Sequence, residues 1–185
     1  MKSKFLLLIV PLLVTSQIVA AQNLPFVGGD VPNRYGPYMA EVDVLEVIRG
    51  DLIRVRDEVS TYEFHLMNII TPVYNYPGMC NQAYGKEAKE YLKNKIEGKR
   101  LKVHLFPPYH PDGRGIVYLN GVDINMELIE EGLAWPGRSI GVDHYYEIKK
   151  AFELFKHRGV RIFSDPDPIN PNRFINNEQD RVCVQ

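Results

Sequence analysis

Three side chains in the first third of the chain have the types and spacing needed for proton transfer or metal binding. Glu63 and His65 are two residues apart in the run TYEFHLMNII, and a strand places such residues on the same face. Asp51 begins the preceding run, DLIRVRD, which is predicted to be the neighbouring strand. A histidine that converges with carboxylates suits acid-base chemistry or a transition metal. The alternative is that His65 is an ordinary strand residue facing solvent.

The two cysteines, Cys80 and Cys183, indicate a covalent link rather than a metal site. No histidine pattern lies beside them, so they do not predict a zinc site. In an oxidising compartment, one disulfide would tie the C-terminal tail to the loop before the first helix. The bonded and the free state of the two cysteines both stay open, because a disulfide requires the two Cα atoms to come close in the fold. The chain also lacks a Gly-rich phosphate loop and the motifs G-x-S-x-G and H-E-x-x-H.

The first 21 residues have the layout of a cleavable secretory signal. Two lysines precede an apolar run, and a Val-Ala-Ala tripeptide ends at residue 21. The alternative is an uncleaved membrane anchor, but Pro11 and the shortness of the apolar run disfavour a stable span. We therefore expect an exported protein, periplasmic or extracellular, with no stable membrane span after cleavage.

The charge balance gives no general attraction to nucleic acid. The whole chain has a formal net charge of −1, and removal of Lys2 and Lys4 with the leader lowers it to −3. Binding to a polyanion would therefore need a local basic patch. Two basic runs could supply one, although we interpret both first as solvated helix faces. They are Lys93, Lys95, Lys99, Arg100 and Lys102, and Lys149, Lys150, Lys156, Arg158 and Arg161.

A single domain of strands and helices must position these residues. Residues 22–38 predict an extended leader, and residues 39–165 contain the periodic runs. Three short strands come first, followed by an amphipathic helix, a hairpin and two further helices, the first of which Asp123 can cap and Gly132 can end. Residues 166–185 predict a Pro-rich and polar tail without regular structure. The order β-β-β-α-β-β-α-α is that of a five-stranded OB-type Greek-key barrel with three α-helices.

Seven short motifs follow one another between residues 39 and 172. They are Val47-Ile48-x-Gly50-Asp51, Phe64-x-Leu66 leading to Thr71-Pro72, Tyr84-Gly85-x-Glu87-Ala88-Lys89-x-Tyr91-Leu92, Gly113-Arg114-Gly115-x-Val117-Tyr118, Gly121-x-Asp123-x-Asn125, Leu128-Ile129-x-x-Gly132-Leu133-Ala134-Trp135, and Ser164-Asp165-Pro166. Each motif is weak alone. Their joint occurrence, in this order and on these elements, resembles the thermonuclease, or staphylococcal nuclease-like, family.

The resemblance implies an OB barrel and, in active members, calcium-dependent hydrolysis of DNA and RNA. There, two aspartates and a threonine carbonyl hold the metal, a glutamate activates water, and two arginines stabilise the phosphorus centre. A hard cation prefers oxygen ligands, the attacking water needs a base, and the developing charge needs fixed cations. In this chain, Asp51 and Thr71 match metal positions, and Arg114 matches the second arginine.

The other positions of that catalytic set are replaced. His65 stands where the resemblance implies the first arginine, Ile70 where it implies the second metal aspartate, and Val73 where it implies the glutamate. Calcium takes about six to eight oxygen ligands, so one carboxylate and one carbonyl are a poor start. The resemblance therefore implies a degenerate active site, in which we interpret His65 as a replacement.

Two functional hypotheses follow from these residues. The first is a binding module that engages a nucleic acid, a phosphorylated ligand or an envelope protein without cleaving it. The second is a divergent nuclease or phosphodiesterase that uses Asp51, His65 and Arg114 with a different divalent metal. Structural roles are open for the same residues, because Asp51 could satisfy turn amides and Arg114 could pair with Asp112 or Glu63.

Overall fold

The computed structural model describes residues 38–106, 113–138 and 142–184. The predicted signal peptide, residues 1–21, and nearly all of the predicted leader, residues 22–38, lie outside the described residues. Eight strands, four α-helices and three short 3-10 helices make up the described part. No helix within it combines the length and the apolar character needed to cross a membrane.

Five of the strands close into a barrel, as the sequence predicts. The eight strands are β1 (Tyr38–Arg49), β2 (Leu52–Arg56), β3 (Thr61–Leu66), β4 (Ile69–Ile70), β5 (Arg100–Leu105), β6 (Gly113–Leu119), β7 (Val122–Asp123) and β8 (Trp135–Pro136). The barrel order is β3-β2-β1-β5-β6 with antiparallel neighbours, and a parallel pairing of β3 with β6 closes it. The predicted fold class is thus confirmed. The β4–β8 pair forms a separate small sheet.

Alternating burial along the strands explains why the barrel has one core. In β3, Phe64 and Leu66 are buried, whereas Glu63 and His65 are only partly buried. Phe64 is completely buried, as are Ile53 on β2 and Val103 on β5. Apolar residues at every second position therefore point inward, and the polar residues between them face outward.

The described part of the chain has four α-helices. They are α1 (Gly85–Ile96), α2 (Ile124–Glu130), α3 (Val142–Phe155) and α4 (Pro171–Asn176). The apolar face predicted for α1 is confirmed, since Ala88, Leu92 and Ile96 are completely buried. The predicted cap of α2 is confirmed as well, because an Asp123 carboxylate oxygen accepts a hydrogen bond from the Met126 amide at 2.9 Å.

The C-terminal tail is more ordered than the sequence predicts. Regular structure was not expected in residues 166–185, yet α4 lies there and buries Phe174 completely. The Asn170 side chain accepts from the Asn172 amide at 2.9 Å, and Pro171 follows it in the first turn, where no N–H is needed. The prediction was wrong because it treated proline only as a helix breaker. The domain limits at residues 39 and 165 stay a prediction.

Cys80 and Cys183 join the tail to the loop that precedes α1. They form a disulfide with their Cα atoms 5.6 Å apart. Beside it, the Val184 amide donates to the Asn81 carbonyl at 2.9 Å. The tail is therefore fixed at two adjacent points.

Candidate functional site

One cross-strand row brings three basic side chains together on the outer face of the barrel. His65 pairs with Arg114 across the parallel closure of β3 and β6, and Leu52 pairs with His65 between β2 and β3. Arg49, at the end of β1, pairs with Leu52 on its other side. Directly paired residues project from the same face of a sheet. We call Arg49, Leu52, His65 and Arg114 the basic row; Leu52 is buried, and the three basic side chains are partly buried.

Two glycines hold Arg114 in this row. A Cβ on Gly113 would lie 2.6 Å from a ring carbon of Phe64, and a Cβ on Gly115 would lie 2.1 Å from the His104 carbonyl oxygen. Neither approach is tolerated by a side chain. The glycines therefore let β6 pack tightly on Phe64 and on β5, while Arg114 between them faces outward.

Arg114 has one hydrogen-bond donor that the protein does not satisfy. Within the described residues, its Nε is buried and has no hydrogen-bond partner. Of the two ion-pair partners that the sequence left open, Glu63 pairs with Arg54 at 3.5 Å, and Asp112 lies outside the described residues. Leaving a buried donor unpaired costs about 1–3 kcal/mol, so this nitrogen is suited to an acceptor that arrives with a ligand.

Asp51 carries its own counter-ion. The Nε of Arg49 donates to an Asp51 carboxylate oxygen at 3.4 Å, and the Arg49 guanidinium lies 5.2 Å from the centre of the Tyr76 ring. The two charged side chains are 19% and 20% exposed. The Asp51 main chain also takes part in the fold, since its carbonyl accepts from the Leu66 amide at 2.9 Å. Asp51 is thus neutralised within the hairpin that carries it.

Glu63 does not join the site, although it shares a face with His65. Arg54 lies directly opposite Glu63 on β2 and also pairs with Glu46 on β1. These three side chains form a second cross-strand row, two residues from the basic row along β2 and β3 and three along β1, where the register shifts. The convergence of Asp51, Glu63 and His65 considered from the sequence is therefore not formed.

Comparison with known proteins places this fold in a family. A family model described as staphylococcal nuclease homologue matches residues 63–165, which is more than half of the chain. The chain belongs to the staphylococcal nuclease homologue family. The match begins within β3, so the Arg49–Asp51 hairpin lies before it.

Individual relatives of the family resemble the chain over part of their length. An uncharacterized endonuclease of Haemophilus influenzae is 24% identical over 100 residues, which are 54% of this chain and 55% of that protein. A probable staphylococcal-like nuclease CAN1 of Oryza sativa is 37% identical over 78 residues, 40% of this chain and 21% of that protein. The staphylococcal-like nuclease CAN1 of Arabidopsis thaliana is 30% identical over 98 residues, 52% and 29% of the two chains. The chain thus spans about half or less of these relatives.

The calcium ion that the resemblance implies for active family members does not fit the residues of this chain. Thr71 does lie beside the hairpin, because a Cβ on Gly50 would be 2.9 Å from its Cγ2 and Oγ1 atoms. However, Asp51 is already paired with Arg49, and in the described part of the chain no three His, Cys, Asp or Glu residues are grouped to hold a metal. A guanidinium on the remaining carboxylate competes with any cation there. A hard cation would therefore lack most of its oxygen ligands.

Ile70 and Val73 are used by the fold. Ile70 pairs with Trp135 in the β4–β8 sheet, and Val73 is only 4% exposed. The Val73 amide and carbonyl are both bonded to Gln82, whose side-chain nitrogen donates to the Ile169 carbonyl at 2.6 Å. Val73 is therefore buried and linked through Gln82 to the C-terminal tail, and the partly buried Ile70 is held by its pairing with Trp135.

Sequence reasoning missed two groups of residues. Arg49 was given no role from the sequence, although its position two residues before Asp51 in a predicted turn was a usable signal. A buried chain of hydrogen bonds was also missed, in which His144 contacts Asn68 at 3.0 Å and Asp123 at 2.8 Å. No local pattern predicts it, because Asn68 and His144 are far apart in sequence and meet only when α3 packs on the barrel.

Proposed function

We propose that this protein binds the phosphate groups of nucleic acid at the basic row and does not perform the calcium-dependent hydrolysis of active family members. The observation that supports binding is the buried, unpartnered Nε of Arg114 directly beside His65. A phosphate oxygen at this position would accept a charge-assisted hydrogen bond from Arg114 and satisfy that donor. Contacts of this kind supply most of the affinity in binding that does not depend on base sequence.

The replaced residues support the loss of hydrolysis. Val73 supplies no general base, whose loss typically costs about 10² to 10⁴ in rate, and removal of one charge-stabilising donor costs about 10² to 10³. These effects are not additive, and roughly 10⁴ or more is a fair combined expectation. The absence of an Asp at position 70 and the pairing of Asp51 with Arg49 disfavour the metal separately.

Binding is tested by titrating the protein against a fluorescently labelled single-stranded DNA at several salt concentrations. With two phosphate contacts or more, log K should fall against log salt with a slope of about −1.4 or steeper. Arg114→Met and His65→Ala should each weaken binding roughly tenfold, because each removes a contact to a charged group. The matched control is Arg56→Met, at the opposite end of the β2–β3 hairpin and ion-paired with Asp43. The proposal is contradicted if the affinity does not change with salt concentration, or if all variants bind with the same affinity.

A divergent nuclease or phosphodiesterase is the second candidate function. It is favoured by adjacency, because the hairpin of Asp51 lies next to β3 and the pairing of β3 with β6 sets His65 beside Arg114. In this function, His65 supplies a base or a positive charge, and Arg114 stabilises the charge that develops on phosphorus. The test is cleavage of DNA or RNA with calcium, magnesium, manganese or zinc, with loss of activity in both His65→Ala and Arg114→Ala. Absence of cleavage with all four metals rules it out.

We also propose that the protein acts outside the cytoplasm, in the periplasm or the medium. The leader pattern supports export, and a disulfide such as Cys80–Cys183 persists in oxidising compartments. Mass spectrometry of the protein from the envelope or medium should give an N-terminus at Gln22. Thiol alkylation without reductant should leave the mass unchanged. A chain that retains Met1, or that is alkylated without reduction, contradicts this proposal.

A further inference from the structure

We infer that Arg49 is a built-in cation that takes the place of a divalent metal between Asp51 and a bound phosphate, so that phosphate binding does not require metal. The inference rests on the proposed function, because it concerns the same row of side chains. It adds a residue that contacts the ligand, and it sets the ionic condition under which the site works.

Arg49 is oriented from two sides by its neighbours. Asp51 accepts from its Nε, and the Tyr76 ring lies against the guanidinium. An arginine carries five N–H donors, most of them on the two terminal nitrogens. Among the residues that the structure describes, no hydrogen bond takes those terminal nitrogens of Arg49. The side chain is therefore held in place while most of its donors stay available to a ligand.

Charge explains why such a cation is needed at this position. A bare carboxylate at Asp51 would repel a phosphate bound at His65 and Arg114. A metal could screen it, but Ile70 and Val73 provide no further carboxylates to hold one. The Arg49 guanidinium neutralises Asp51 directly, and its planar fork matches the oxygens of a phosphate. It therefore provides, within the chain, both the charge and the bridging position of a metal ion.

The length of the basic row favours a phosphodiester chain over a single phosphate. Arg49 and Arg114 are separated by three strand-to-strand steps. Neighbouring strands lie about 4.8 Å apart, so the row spans roughly 14 Å. That distance exceeds one phosphate group, and a nucleic-acid strand carries a charge about every 3.4 Å of its axis. We expect an oligonucleotide to bind more tightly than inorganic phosphate does.

The test compares binding in chelator with binding in calcium. Labelled single-stranded DNA is titrated against the disulfide-intact protein, and inorganic phosphate is used as a competitor to separate the two sources of phosphate. Wild-type affinity should agree within about twofold in EDTA and in calcium. Arg49→Met should weaken binding roughly tenfold and make the salt slope shallower by about 0.7, since one phosphate contact is lost.

Two further variants separate a contact from a purely structural role. Arg49→Met with Asp51→Asn should recover only part of the lost affinity, because the uncompensated carboxylate is removed while the contact from Arg49 to phosphate stays lost; full recovery would mean that Arg49 only screens Asp51. Arg49→Lys, which keeps the charge without the planar fork, should lie between wild type and Arg49→Met. Thermal melting of each variant confirms that it is folded, and Arg56→Met is the matched control.

The outcomes distinguish this inference from the proposed function. Loss of wild-type binding in EDTA overturns the inference alone, and so does an Arg49→Met variant that binds like wild type while Arg114→Met does not. If the wild type binds DNA neither in EDTA nor in calcium, both the inference and the proposed function are overturned. Competition by inorganic phosphate at concentrations as low as those of the oligonucleotide overturns the preference for a phosphodiester chain.

Discussion

At the contact of α3 with the barrel, Asn68, His144 and Asp123 form a continuous chain in which the middle ring bonds on both sides, and His144 is only 8% exposed. In the basic row, by contrast, His65 is partly exposed and its neighbour Arg114 keeps a buried Nε without a partner among the described residues. Both groups contain a histidine close to polar neighbours. They differ in that the buried nitrogens of His144 are both bonded within the protein, whereas the buried Nε of Arg114 has no partner among the described residues.

This difference separates a group that serves packing from a group that can bind a ligand. A buried polar group with all its partners supplied by the protein adds rigidity and leaves nothing for a ligand. A donor left unpaired near the surface costs stability, which a ligand can recover. The carboxylate–histidine pair of Asp123 and His144 resembles an acid-base pair in composition only. We therefore assign it to the packing of α3 and assign the basic row to binding.

The largest expected effect is on the stability that the hydrogen-bonded chain of Asn68, His144 and Asp123 provides. His144→Ala should lower the free energy of unfolding by about 2–4 kcal/mol, because it opens a cavity and removes the partners of Asn68 and Asp123. Urea denaturation measures this change. The matched control is His157→Ala, an exposed histidine beyond the end of α3, with an expected change within about 0.5 kcal/mol. Equal effects of the two substitutions would mean that the hydrogen bonds of His144 do not stabilise the fold.

A smaller and opposite effect is expected in the basic row. Arg114→Met should leave the free energy of unfolding unchanged or raise it by about 1 kcal/mol, because it removes a buried donor that lacks a partner. Arg54→Met, which breaks the half-exposed contacts to Glu46 and Glu63, should instead lower it by about 0.2–1 kcal/mol. Both are measured by urea denaturation without nucleic acid. A clear loss of stability in Arg114→Met would mean that Arg114 serves the fold.

The smallest expected effect is a pH dependence of stability at His104. Burial, and secondarily the charge of His144, lower the pKa of His104 below its ordinary value of 6.5. The unfolded chain therefore takes up the proton first, so this contribution to stability is complete above about pH 6.5 and is lost as the pH falls through that value. His104→Asn should flatten the decline of melting temperature on acidification, whereas His157→Asn should not. An unchanged decline in His104→Asn would place the sensitivity elsewhere.

Much of the fold was predictable because it depends on local patterns. Alternating apolar residues gave the strands, and a repeat of apolar positions gave the buried face of α1. Asp123 and Gly132 indicated where α2 begins and ends, and the structure agrees. The short helix α4 was missed because its start depends on an Asn-Pro cap within a Pro-rich segment. Its stability also depends on the burial of Phe174, which local composition does not reveal.

The candidate site was only partly predictable, since its chemistry depends on pairings between strands. The position of Arg114 followed from the G-R-G motif, but its place beside His65 required the parallel closure of β3 and β6. Glu63 was expected near His65 and is instead bound by Arg54. The family pattern identified which carboxylates are missing. It did not reveal that Arg49 neutralises the carboxylate of Asp51.

The sequence by itself therefore determined the barrel, its first three α-helices and the residue types at the inherited catalytic positions, because these follow from periodicity, caps and motif order. The tertiary structure alone decided which side chains are satisfied and which are not. Arg49 neutralises Asp51, Arg54 forms an ion pair with Glu63, and both ring nitrogens of His144 are hydrogen-bonded. Arg114 keeps one free donor among the described residues. The physical reason is that hydrogen bonds and ion pairs are set by distance in space, which strand register and helix packing fix only once the chain has folded.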